Sequence, residues 1–307
     1  MNETEYSMLS HCTICPRACG VNRLIGEKGF CGASGDRAEI ACVMLHKWEE
    51  PCISGTDPDR GSGAVFFAHC NLKCIYCQNS SISRRASSSS SLRSVDSPEL
   101  SGIMLDLQSR GAWNINLVTP THYMPIIASA VRSAKQSGLT VPVVYNTSSY
   151  ESIPSLKYLE GIVDVYLADY KYFTSGPARD YSSAPDYVAA ADAALAEMFR
   201  QTGPCEFDSA GMLRKGVIVR HLVLPSRVYA ARKIFGKLYK TYGDNIIYSM
   251  MNQYTPMNNP GLDAYPELLR AVSAEEYSEV VDFCAGIAPK YCYIQEGGTV
   301  SESFIPV

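Results

Sequence analysis

From Gly63 onward, short apolar runs alternate with stretches in which apolar residues recur every three or four positions. A strand followed by an amphipathic helix, repeated, is the pattern of βα units around a parallel sheet. The runs predict strands over 64–68, 115–118, 141–145, 162–168, 216–224 and 245–250, with a further strand at 291–295 that closes or flanks the sheet. Ser97-Pro98-Glu99 opens a helix whose Leu100, Ile103, Met104 and Leu107 share one face. Ser273 and Glu276 form a capping box ahead of Tyr277, Val280, Val281 and Cys284 at helical spacing. Residues 1–62 show no strong periodicity, which divides the chain into a cysteine-rich N-terminal extension, 1–62, and an α/β core, 63–307. The run Ala86-Ser87-Ser88-Ser89-Ser90-Ser91 has the composition of a linker or a lid.

With 46% hydrophobic and 19% charged residues, a chain of 307 residues can bury a sizeable core. The net charge of −4 and the scattered basic residues give no reason to expect nucleic acid or an anionic membrane as partner. The first residues lack a basic and an apolar region, and no apolar run approaches a membrane span, so a cytoplasmic protein is expected. Twelve cysteines in such a chain argue for thiols used as metal ligands, because disulfides are rare in a reducing cytosol.

The densest chemistry lies in Cys70-Asn71-Leu72-Lys73-Cys74-Ile75-Tyr76-Cys77, directly after the first apolar run. Cysteines spaced C-x3-C-x2-C can hold three irons of a [4Fe-4S] cube and leave the fourth without a protein ligand. An open metal position implies catalysis. The competing readings are core cysteines and a zinc knuckle, but structural zinc wants four ligands, commonly as paired C-x2-C units. A second set, Cys12, Cys15, Cys19 and Cys31, follows C-x2-C-x3-C-x11-C. Four thiolates can close a zinc site or ligate a whole second cluster, and a metal would supply stability that this weakly apolar segment lacks. A saturated site of that kind suits structural or electron-relay duty.

The C-x3-C-x2-C spacing, with an aromatic residue before the third cysteine, resembles the signature of the radical S-adenosylmethionine (SAM) superfamily. Further blocks resemble its PflX-type, pyruvate-formate-lyase-activating-enzyme-like family: Cys12 to Arg17, Trp48 to Gly55, Gly63 to Ser83, Asn114 to His122, Tyr145 to Ser148 and Val219 to Pro225. Two departures stand out, the Ser-rich segment and Ser149, where the family pattern has Gly. The resemblance implies an α/β fold, the partial (β/α)6 barrel of radical SAM enzymes. It also implies a [4Fe-4S] cluster on Cys70, Cys74 and Cys77 whose open iron binds SAM and cleaves it reductively to a 5′-deoxyadenosyl radical. Tyr76 would lie along the adenine. No Gly-Gly-Glu follows the second strand, so Thr119, Thr121 and His122 are the SAM candidates there. Asn146 and Thr147 follow the third strand, Asp169 and Lys171 the fourth, and Arg220 lies on the fifth.

In parallel barrels the reactive groups gather at the C-terminal ends of the strands, so these residues are expected in one mouth. Buried Asp, Lys and Arg must pair with each other or with zwitterionic SAM. Glu49, Glu50 and Cys52 precede the first strand and could reach the mouth or pack as an ordinary loop, and Gln253-Tyr254 could face substrate. The expected activity is hydrogen abstraction, first as activation of a glycyl radical enzyme, with modification of a peptide or small metabolite as the alternative. A non-catalytic iron–sulfur or zinc module is the reading from another class. An electron donor such as flavodoxin or ferredoxin and an anaerobic setting are implied partners of the chemistry.

Overall fold

The computed structural model describes residues 2–84 and 92–295, so the Ser-rich segment 86–91 lies outside the described residues. The strands are β1 (Ala38–His46), β2 (Gly61–Phe67), β3 (Arg93–Val95), β4 (Ala112–Val118), β5 (Val143–Thr147), β6 (Val165–Asp169), β7 (Glu206–Phe207), β8 (Leu213–Leu222), β9 (Ile247–Met251) and β10 (Cys292–Ile294). They form one sheet in the order β10-β9-β8-β6-β5-β4-β2-β1-β3, with β7 paired to β8. From β2 to β10 every neighbour on this path is parallel. The predicted strands therefore all exist, and the architecture is the expected α/β, partial (β/α)6 barrel.

Parallel strands covered on both faces are apolar throughout, and every residue of β2 is buried. Gly63 is required there, because a Cβ at this position would stand 2.9 Å from the Asn114 carbonyl oxygen of the neighbouring strand. Helix Ser97–Ser109 packs on helix Met124–Gln136 outside the sheet. Its N-cap is Asp96, which forms a capping box with Glu99. Ser273 and Glu276 make the expected box on helix Ala274–Ile287.

The unpredicted strands are β1, β3 and the two-residue β7. β1 runs antiparallel to β2, so the sheet begins inside the segment read as an extension. His46, at the end of β1, faces Ser62 near the start of β2. The chain therefore leaves β1 at the N-terminal end of the parallel strands and turns into the barrel from below. A short helical turn, Pro51–Ser54, follows, and its Cys52 and Ile53 pack against Val144, Val165, Leu167, Ile218 and Ile247. Alternation along each strand puts these residues on the inner face. The Asn114 side-chain amide, also inward, donates to the Ile53 carbonyl (2.7 Å). Segment 49–54 is thus a floor.

Candidate active site

The C-terminal strand ends and this floor enclose a cavity of about 440 Å³. Cys70, Cys74 and Cys77 line its upper rim. Thr119, Asn146, Thr147, Asp169, Lys171 and Arg220 line the walls, with Glu49 and Glu50 below.

The cysteine loop is held by bonds from distant parts of the chain. The Ile75 N–H donates to the Tyr181 carbonyl (2.8 Å), the Asn259 amide to the Cys77 carbonyl (2.9 Å) and the Gln78 amide to the Gln253 carbonyl (2.8 Å). The sulfurs themselves accept hydrogen bonds. The Leu72 N–H reaches Cys70 Sγ (3.4 Å), the Ser182 hydroxyl reaches Cys74 Sγ (2.9 Å), and Ser83 Oγ lies 3.3 Å from Cys77 Sγ. Burial and then the neighbouring Cys74 push the Cys70 and Cys77 thiols above the ordinary range. As free thiols these residues stay protonated at neutral pH, and a bound metal is what would deprotonate them. Tyr76 lines the cavity, but its hydroxyl is committed to Tyr172 (2.7 Å), which is bonded to Ser182 and so leads back to Cys74. Its ring packs edge-on against Tyr181 and Tyr254. Gln253 lines the cavity, whereas the Tyr254 hydroxyl bonds the Leu268 carbonyl (2.6 Å).

The charged residues meet as the strand pattern suggests. Lys171 Nζ donates to Asp169 (2.7 Å), and Arg220 donates to Asp169 (3.0 Å), to Glu49 (2.8 Å) and to the Asn146 side-chain oxygen (2.7 Å). Glu49 also accepts from Asn116 (3.0 Å) and Asn146 (3.2 Å). Burial works against the Arg220 charge, but Asp169 and Glu49 outweigh it and hold the guanidinium above its ordinary value. For Asp169 burial acts upward, and Lys171 and Arg220 prevail and hold the carboxyl below its usual range. The charges are therefore mutually paired without a ligand. Glu50 differs: burial raises its carboxyl, and one of its oxygens has no hydrogen-bond partner. Cys52 lies in the floor and not on the cavity wall.

Thr121 and His122 do not line the cavity. Thr119 adopts a left-handed conformation (φ 58°), and the chain then enters a 3-10 turn, Thr121–Tyr123, that packs back behind the sheet. Thr121 Oγ1 donates to the buried Glu151 (2.5 Å), as does the Thr147 hydroxyl. Burial lifts Glu151 to about 7, against the pull of these hydroxyls. His122 Nε2 bonds the Ala68 carbonyl (2.7 Å), and burial lowers its pKa to about 3, so it is a neutral clamp behind the cysteine loop. His221 likewise points away, bonding the Tyr170 carbonyl (2.7 Å).

The N-terminal cysteines also come together. Cys12 and Cys15 are buried, while Cys19 and Cys31 are half-buried. Burial pushes Cys15 up to about 12 and raises Cys31, with neighbouring thiols adding to both shifts. The Phe30 N–H donates to Cys19 Sγ (3.3 Å), the Arg17 N–H to Cys15 and the Ala33 N–H to Cys31. Backbone donors aimed at sulfur suit thiolate ligands, so both cysteine sets fit a sulfur-bound metal in chemistry. Among the described residues no three His, Cys, Asp or Glu side chains are already gathered to hold one ion, so the thiols would turn onto a metal as it binds.

No family model matches the chain. An uncharacterised protein of Methanocaldococcus jannaschii is 26% identical over 295 residues, covering 94% of this chain and 77% of that protein. Solved structures of Streptococcus suis SuiB overlap more loosely. With the SuiB structure bound to S-adenosylmethionine the TM-score is 0.48 at 10% identity, over 74% of this chain and 48% of that one. With SuiB bound to the precursor peptide SuiA the score is 0.48 at 11% identity, over 74% and 46%. This chain spans about half the length of those structures. At these values the likeness decides neither family nor chemistry. No helix among the described residues is long and apolar enough to cross a membrane.

Proposed function

We propose that this protein is a radical SAM enzyme in which Cys70, Cys74 and Cys77 hold a [4Fe-4S] cluster and the cavity beside them takes SAM. The observation that carries this is the placement of a C-x3-C-x2-C loop at the rim of a charged cavity, on the end of the first parallel strand. When bound, the cluster supplies one electron that cleaves SAM to a 5′-deoxyadenosyl radical. The chain's own residues do the rest. Asn146, Asp169, Lys171 and Arg220 present donors and acceptors in fixed positions for a zwitterion. Their prior pairing keeps them oriented and costs little reorganisation on binding. The closed floor and the tyrosine-lined rim shield a reactive intermediate from water. Thr119 faces the same space, whereas Thr121 and His122 hold the strand ends.

The hydrogen donor we propose is a polypeptide, either the glycine of a glycyl radical enzyme or a peptide to be modified; a small metabolite is the remaining alternative. The N-terminal set, Cys12, Cys15, Cys19 and Cys31, is proposed to carry a second metal centre. The deciding experiment is anaerobic reconstitution with iron and sulfide, followed by measurement of 5′-deoxyadenosine formed from SAM and reductant. Formation by the wild type and none by Cys74→Ala is the expected result. Equal product from both would reject the assignment. Incubation with a glycyl radical enzyme, with detection of its backbone radical, separates the two polypeptide forms.

A further inference from the structure

Arg23 is 1% exposed, the only lysine or arginine among the described residues to be buried so fully. It opens the 3-10 turn Arg23–Ile25 inside the N-terminal loop, between Cys19 and Cys31. One nitrogen, Nη1, donates to the His122 carbonyl. Nε and Nη2 are buried without a hydrogen-bond partner, and no ion pair among the described residues includes Arg23.

A cation on the surface needs no ion pair, because water solvates it. A guanidinium taken out of water with two of its nitrogens unpartnered is costly. Arg220 shows the ordinary solution, with Asp169 and Glu49 beside it. Around Arg23 the chain supplies thiols instead. Burial raises the Cys31 thiol, the Arg23 charge draws it back down, and Cys12 and Cys19 act on the same sulfur. Arg23 therefore stands within electrostatic reach of the N-terminal set. Neutral thiols leave its charge uncompensated. Four thiolates on Zn²⁺ or on a [4Fe-4S]²⁺ core form a dianion, which supplies both the missing charge and the missing acceptors.

Resting on the second metal centre proposed for Cys12, Cys15, Cys19 and Cys31, we infer that this site takes a dianionic tetrathiolate centre and that Arg23 is its buried counter-ion. Four S–H bonds ionise as four metal–sulfur bonds form, and the protons leave to solvent. Arg23 touches no metal in this role. It is a positioning residue whose Nε and Nη2 donate to the anionic sulfur shell while Nη1 holds the His122 carbonyl. His122 Nε2 is bonded to the Ala68 carbonyl, two residues before Cys70, so the same side chain ties the N-terminal centre to the root of the cavity loop.

The test compares one substitution with and without metal, in protein carrying Ser at 70, 74 and 77 so that only the N-terminal set can load. Metal-free protein is titrated with Co²⁺ or Zn²⁺ alone, or reconstituted with iron and sulfide, and each form is melted. Arg23→Met should leave the metal-free protein as stable as before or more so, yet lower the melting temperature of the loaded protein and weaken metal binding about tenfold or more. Arg23→Lys, which keeps the charge, should recover most of that affinity. A merely structural arginine would lower both melting temperatures alike, and that result, or unchanged affinity in Arg23→Met, overturns the counter-ion. Loading by zinc and cobalt alone, or by iron and sulfide alone, names the core and supports the proposal either way. Absence of thiolate-to-metal absorbance with every metal overturns the second centre itself, and the counter-ion with it.

Discussion

The two cysteine loops are made of the same parts and serve opposite ends. In each, backbone N–H groups point at sulfur, and burial raises Cys15 and Cys31 in one loop and Cys70 and Cys77 in the other. The loop at 70–77 is mounted on the end of a strand and faces a cavity with charged walls. The N-terminal loop lines no part of that cavity and is sewn onto the start of helix Ile153–Tyr158, which follows β5, where the Ser152 and Ser155 hydroxyls both donate to the Ile14 carbonyl (2.9 and 2.7 Å). Cysteine spacing proposes a ligand set. What the neighbours leave uncovered decides whether that set can be catalytic.

The comparison breaks most visibly in cysteine replacements. Cys74→Ala is expected to abolish deoxyadenosine formation. A variant with Ser at 12, 15, 19 and 31 should lose metal content and about 2 kcal/mol or more of stability, while SAM cleavage with dithionite persists. If the quadruple variant keeps its metal and its melting temperature, the second centre does not exist. Next in size is Arg220→Met, which leaves buried Glu49 with no cation and only the Asn116 and Asn146 amides, and Asp169 with Lys171 alone. A loss of about 3–5 kcal/mol in denaturant unfolding is expected, and SAM binding should fall with it. A loss under 1 kcal/mol would show that the floor carries little charge burden.

Glu151, beneath the N-terminal loop, sharpens the contrast by pH. Its carboxyl titrates at about 7 in the fold against an ordinary 4.5, so the folded state binds the proton more tightly than the unfolded chain. The stabilisation is complete below about pH 4.5 and is lost as pH rises through about 7, amounting to about 3 kcal/mol at most. Glu151→Gln should flatten unfolding stability across that window. An unchanged slope in the variant would place the titration elsewhere. The smallest effect is expected at Ser149, held at φ 61° with its N–H on Thr147 Oγ1 (3.2 Å). Ser149→Gly should raise stability by up to about 1 kcal/mol, because glycine adopts the left-handed region without penalty. Destabilisation by this change would mean that the serine side chain matters more than the backbone.

The parallel strands were legible because each is an apolar run buried on both faces, and the charged residues at their ends followed from strand position alone. β1 was not, since most of its residues are only half-buried and its apolar content carries no clean alternation. Thr121 and His122 were misplaced for a local reason. Counting onward from β4 assumes an extended chain, whereas the left-handed Thr119 turns the next residues behind the sheet. Ser182, Asn259 and Arg17 brace the cysteine loop from more than fifty positions away, and no local pattern marks them. Glu49 belongs with these, because its partners lie on β4, β5 and β8.

An open sheet has no closing strand to fix its radius. Here one carboxylate touches three strands across the curve of the sheet and acts as a calliper on the bore of the cup. Shortening it by a methylene, as in Glu49→Asp, changes the gauge without touching a wall. The spacing of three strands is therefore tied together from a segment that belongs to none of the repeating units.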